Sequence, residues 1–139
     1  MDDQVLAEAT KKSVLIVDDD PHILKMGCRT IRKMGFDAFE ASNLTEAVNV
    51  LTSHVRIGLV ISDVQMPGGS GVELLNRMKQ DEHWPSIPVV LMTGGPLCNL
   101  PDGVIVLAKP FGSLQFRCVL AASPLTCGVA PDQSLREVT

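Results

Sequence analysis

No run of apolar residues in this chain approaches the roughly 20 that a membrane-spanning helix requires, so no membrane partner is expected. Nor is there an excess of positive charge. The net charge is −4 and the isoelectric point near 5.2, which argues against direct binding of nucleic acid, whose phosphates demand a basic face. The N-terminus, MDDQVLAEATKKS, is acidic and then basic without the apolar core of a secretory signal, and a cytoplasmic location is expected. The four cysteines, Cys28, Cys98, Cys118 and Cys127, make no CxxC pair and have no histidine at metal-ligand spacing. They read as reduced thiols that mostly fill the core. What is present fits one globular domain: 139 residues, 45% hydrophobic and 20% charged, enough to bury a sizeable core.

Short apolar runs alternate along the chain with helical periodicity. Residues 1–12 read as an N-terminal arm, and SVLIV (13–17) suits a buried strand. Asp20-Pro21 then supplies an N-cap and a proline at the first helical position. Leu24, Cys28 and Ile31 follow at helical spacing up to a C-capping Gly35. Residues 36–41 suggest a second strand. Asn43 and Glu46 suggest a capping box for a helix in which Leu44, Ala47, Val48 and Leu51 share a face. Residues 58–62 form the third strand. Ser70 and Glu73 make a second capping box, opening a helix to about residue 79 with Val72, Leu75 and Met78 inward. Residues 89–92 and 104–108 are the last two strands, 113–122 the last helix, and 123–139 a C-terminal tail or linker. Strands apolar on both faces, alternating with amphipathic helices, mean a parallel sheet covered on both sides. Right-handed crossovers make it a doubly wound α/β sandwich.

In such sheets the functional crevice lies beyond the carboxyl ends of the strands. The first strand ends in Asp18-Asp19-Asp20, the third in Asp63, the fourth in Thr93-Gly94-Gly95 and the fifth in Lys109-Pro110. Carboxylates that converge on one edge repel unless a cation neutralises them, and a hard divalent ion such as Mg²⁺ fits an all-oxygen set. Thr93 offers a hydroxyl and Lys109 a compact positive charge, both suited to phosphoryl oxygens. The set can host an aspartyl phosphate: Asp63 is exposed at its strand end as the nucleophile, and Gly68, Gly69 and Gly71 keep the next loop low for a phosphodonor. Asp20 reads as the helix N-cap. His22, His54 and His83 are scattered and read as surface residues.

With those residues in view, the chain resembles the receiver domain of two-component response regulators across about residues 13–122. The motifs are IVDDD, LVISDVQMPGGSG, VVLMTGG and LAKPF. The resemblance implies a flavodoxin-like five-stranded sheet of order 2-1-3-4-5. It implies that Asp63 accepts a phosphoryl group from a histidine kinase or a histidine phosphotransfer protein. Asp18, Asp19, Asp63 and the backbone carbonyl of Gln65 would hold Mg²⁺, Asp19 directly and Asp18 through water. Thr93 would bond the phosphate, Lys109 would pair with it, and Lys109–Pro110 would be a cis peptide. The chemistry would be limited to the domain's own phosphorylation and slow dephosphorylation, so the chain is not expected to be an enzyme in the usual sense.

Two departures stand against that pattern. The stretch GGPLCNLPDG between Thr93 and Lys109 is poor helix material, so the fourth helix is expected to be shortened or irregular. Val106 holds the position, three before Lys109, where the family usually has a switching aromatic. Two other readings compete. One is a degenerate receiver that signals by binding alone. The other is a phosphatase of the haloacid-dehalogenase type with Asp18 as nucleophile and Asp20 as acid, which leaves Asp63 and its Met-Pro-Gly unexplained. Too little chain follows residue 122 for a DNA-binding output domain. The expectation is therefore a receiver standing alone or cut from a longer protein such as a hybrid kinase. The sequence leaves open the output partner and a homodimer through the altered fourth-helix face.

Overall fold

Each of the five apolar runs forms a strand of one parallel sheet. In the computed structural model, which describes residues 13–53, 56–82, 84, 87–95, 100, 101 and 104–123, these are β1 (Ser13–Val17), β2 (Asp37–Ala41), β3 (Ile57–Asp63), β6 (Val89–Thr93) and β7 (Ile105–Ala108). A small antiparallel ribbon, β4 (Gln65–Met66) and β5 (Gly69–Ser70), lies between β3 and the next helix. The helices are α1 (Pro21–Lys33), α2 (Leu44–Thr52), α3 (Gly71–Gln80) and α4 (Ser113–Ala122). The sheet order is β2-β1-β3-β6-β7, which is the 2-1-3-4-5 order of a flavodoxin-like sheet. The N-terminal arm, the tail beyond Ser123, His54, His83, Cys98 and Cys127 lie outside the described residues.

The strands are apolar on both sides because both sides are covered. Val14, Ile16, Leu59, Ile61, Val90 and Met92 face α1 and α4, where Leu24, Cys28, Ile31, Phe116 and Leu120 close one half of the core. Leu15, Val17, Val60 and Leu91 face α2 and α3, against Leu44, Ala47, Leu51, Leu74, Leu75 and Met78. Each such fully buried Leu, Ile or Phe contributes roughly 1.5–3 kcal/mol relative to exposure. This two-sided burial is what makes β1 and β3 read as continuous apolar runs with no alternation.

The helix ends follow the residues that cap them. Asp20 accepts from the His22 N–H at 2.9 Å and Pro21 opens α1. The helix closes when Phe36 N–H bonds Ile31 carbonyl (3.2 Å) and Gly35 N–H bonds Arg32 carbonyl (3.0 Å), with Gly35 at φ +92°. That is a Schellman closure, with Phe36 and Ile31 in the same apolar cluster. Asn43 accepts from Glu46 N–H at 2.8 Å as the capping box requires. The Glu46 carboxylate, however, turns to the N–H and hydroxyl of Ser42, at 2.7 and 2.8 Å, one residue earlier than the box predicts. Ser70 caps α3 through Glu73 N–H at 3.0 Å.

The sequence reading did not foresee the β4–β5 ribbon. Pro67 and Gly68, the latter at φ +77°, sit at its turn, the Pro-Gly pairing a type II turn favours. Of the segment expected to hold a shortened fourth helix, Gly94, Gly95, Leu100 and Pro101 are non-helical, and 96–99 and 102–103 lie outside the described residues.

Candidate functional site

Parallel pairing brings the strand ends level: Val17 lies opposite Ser62, Asp63 opposite Met92, and Thr93 opposite Ala108. The polar residues that follow these strands therefore meet at one edge. Asp18 is fully buried. Its N–H bonds the carbonyl of Ala41, and its Oδ1 accepts from Asp20 N–H at 2.9 Å. The anchor on Ala41 gives β2 a part in the site that its own sequence does not advertise. Asp19, by contrast, is exposed. One carboxylate oxygen from each of Asp18, Asp19 and Asp63 lies within 4.8 Å of the others.

Lys109 neutralises this cluster in part. Its Nζ lies 2.9 Å from Asp18 Oδ2 and 3.2 Å from Asp63 Oδ2. Burial alone would push the ammonium pKa down; the hydrogen bond and charge of Asp18, then Asp63, outweigh it and hold the pKa above 10.5. Asp63 is pushed the other way from most carboxylates. Burial first, then the charge of Asp18, raises its pKa above 3.8, against the pull of Lys109 and the Gln65 N–H. Among the described residues, Lys109 pairs with two of the three carboxylates, Asp18 and Asp63, so the donor set is oxygen-only and short of positive charge. Those are the conditions under which a hard divalent cation fits, and Asp18, Asp19 and Asp63 are the residues that could hold it.

One expectation needs correction. Asp63 is not exposed at its strand end: only 8% of its surface is accessible, because Lys109 and Asp18 crowd it. The glycines after it also have local reasons to be glycine. Gly68 needs its positive φ, a Cβ on Gly69 would press on Leu44, and a Cβ on Gly71 would overlap the Asp63 carbonyl. Gly71 lets the start of α3 sit directly against the end of β3, with its N–H on the Val64 carbonyl at 2.9 Å.

The remaining positions fall where the strand ends place them. Thr93 is buried and its Oγ accepts from Gly95 N–H at 3.0 Å. Gln65 is exposed in β4. Lys109–Pro110 is cis, as the resemblance implies. Asp20 serves as the N-cap, and His22 is exposed. Among the described residues no helix is long and apolar enough to cross a membrane.

Fold and site together define a flavodoxin-like α/β domain with an acidic site at the carboxyl edge of its sheet. Comparison with known proteins narrows this further. Residues 14–98 match the family model of the response regulator receiver domain, and the chain belongs to that family. It is 35% identical over 117 residues to the phosphate regulon transcriptional regulatory protein PhoB of Pseudomonas aeruginosa, a match covering 80% of this chain and 51% of that protein. The chain thus spans about half the length of that relative. It is also 35% identical over 112 residues to sporulation initiation phosphotransferase F of Bacillus subtilis, covering 76% of this chain and 88% of that protein. The chemotaxis response regulator CheY4 of Vibrio cholerae has a similar structure, with a TM-score of 0.70 and 25% identity over 79% of this chain and 96% of that one.

Proposed function

We propose that Asp63 takes a phosphoryl group from a phosphohistidine of a histidine kinase or a histidine phosphotransfer protein, and that the added charge switches binding to a further partner. The observation that carries this reading is the junction at the sheet edge: Asp63 Oδ2 lies 3.2 Å from Lys109 Nζ, with Asp18 and Asp19 beside it. Membership of the receiver family, and a relative named as a phosphotransferase, support it.

An Asp63 oxygen attacks phosphorus, a P–O bond forms, the P–N bond breaks, and the departing imidazole nitrogen keeps the electron pair. Asp18, Asp19, Asp63 and the Gln65 carbonyl would hold Mg²⁺. When bound, Mg²⁺ supplies positive charge against the phosphoryl oxygens. Lys109, already within reach of Asp63, turns its ammonium to one phosphoryl oxygen, and Thr93 turns its hydroxyl to another. No separate substrate is turned over; the domain's chemistry is confined to gaining and losing its own phosphoryl group.

Intact-protein mass after incubation with acetyl phosphate and Mg²⁺ tests this. Wild type should gain one phosphoryl group, lost with chelator, and Asp63→Asn none. An adduct that persists in Asp63→Asn would sink the assignment, and attachment at Asp18 would favour the haloacid-dehalogenase chemistry.

A further inference from the structure

Another face of the molecule is charged in the opposite sense to the site. α1 carries Lys25, Arg29, Arg32 and Lys33, all exposed, and no carboxylate, in a chain whose net charge is −4. Their spacing of three and four residues aligns them as a stripe about 12 Å long. None of the four is ion-paired among the described residues, and Arg32 spends one N–H on the Ala38 carbonyl at 3.4 Å. A solvated face would scatter both signs along such a helix.

The stripe borders a groove of about 690 Å³ between α1 and β2, the outermost strand on that side of the sheet. Leu24 and Cys28, both largely buried, lie at its base, and Glu40 stands on its strand side, where it accepts from the Cys28 thiol at 3.6 Å. Burial, then the charge of Glu40, pushes the Cys28 thiol up to about 11, so the floor is uncharged at neutral pH. The other flank of α1 packs on α4, where Gly27 admits the ring of Phe116. The groove is therefore separate from that packing and does not use Asp63.

We propose that this groove docks an acidic segment of a partner protein, its carboxylates on Lys25, Arg29, Arg32 and Lys33 and an apolar side chain on Leu24 and Cys28. The single sign of the stripe selects an anionic partner. The uncharged floor favours a peptide over nucleic acid, because a phosphate backbone offers it no apolar group, and Glu40 at the groove's strand side requires the segment to place its carboxylates along the α1 stripe and not against that strand. The inference stands independently of the chemistry at Asp63.

Fluorescence anisotropy with a labelled 16-residue peptide, glutamates interrupted by a leucine at every fourth position, tests it on the full chain. Saturable binding is expected, weakened roughly tenfold by Lys25→Glu with Arg29→Glu and several-fold on raising salt from about 50 to about 300 mM. The glutamine version of the peptide should not bind. Both substituted side chains are exposed, so the double variant should melt at the wild-type temperature, which keeps misfolding from mimicking the result. Three results overturn the proposal: no binding by wild type, equal binding by the folded double variant, or tighter binding of a single-stranded oligonucleotide that displaces the peptide.

Discussion

The Lys109 N–H donates to the Thr93 carbonyl at 2.7 Å, continuing the ladder that pairs Thr93 with Ala108. The hydroxyl and the ammonium on the far side of Asp63 are thus mounted on one stretch of paired backbone. That bond ties the backbones of Thr93 and Lys109 together directly, without involving the side chain of Val106.

Removing the ammonium should expose how much negative charge it holds together. Lys109→Met leaves the Asp18 carboxylate, fully buried, with the Asp20 N–H as its one remaining hydrogen-bond donor among the described residues, and leaves Asp63 facing it. A loss of about 2 kcal/mol is expected in EDTA at pH 7, below the roughly 3–5 kcal/mol of a fully buried broken pair because Lys109 is itself about one-fifth exposed. Mg²⁺ should restore part of it by binding the folded state. Urea unfolding with and without Mg²⁺ checks this; equal stability of the two proteins in EDTA would show that the bridge contributes nothing.

The raised pKa of Asp63 fixes the sign of a pH effect. Burial and Asp18 make the folded state hold this proton more tightly than the unfolded chain does. Stability is therefore lost as pH rises through a window that opens near 3.8 and ends at the folded value. Asp63→Asn has no such loss, so its stability should gain on wild type between pH 3.5 and 7. Lys109, whose pKa is also raised, contributes fully below 10.5 and is lost only above it, so it does not disturb that comparison. Paired chemical denaturation at the two pH values gives the answer, and a constant difference would refute it.

Gly71→Ala should strain the site from behind. The new Cβ overlaps the Asp63 carbonyl and crowds Leu91, and neither backbone nor packed side chain can yield freely. A cost of about 1–3 kcal/mol is expected, together with weaker labelling by acetyl phosphate as the end of β3 shifts. Unaltered melting would mean that α3 can step back from the strand without penalty.

Gly35→Ala is the contrasting case. Nothing lies within 4 Å of the added carbon, so only the φ of +92° resists it. The expected loss is about 1 kcal/mol with labelling of Asp63 unchanged, read from the urea midpoint and the intact mass.

The strands and the edge they share were legible because burial on both faces writes itself as unbroken apolar runs, and because the polar residue after each run is where parallel strands end together. The helix starts were legible from Asp20, Asn43 and Ser70. Other features depend on contacts between distant segments. Nothing near Ala41 announces that its carbonyl anchors Asp18, and nothing near Gly71 that it lies against Asp63. The partner of Glu46 was misplaced by one residue because Ser42 offers both an N–H and a hydroxyl where the box offers one N–H. The burial of Asp63 was missed for a similar reason: Lys109 arrives from 46 positions along the chain to cover it.

The β4–β5 ribbon has a consequence for how such a site can vary. Gln65 pairs with Ser70 across it, so its main chain is clamped while its side chain points into solvent. On the proposed reading that main chain lends a carbonyl to the metal, and a carbonyl is the same in every amino acid. Mutation at 65 can then alter what reaches the phosphoryl group, and so its lifetime, without touching the inner ligand that the same residue provides. Tempo and metal binding become separately tunable at a single codon.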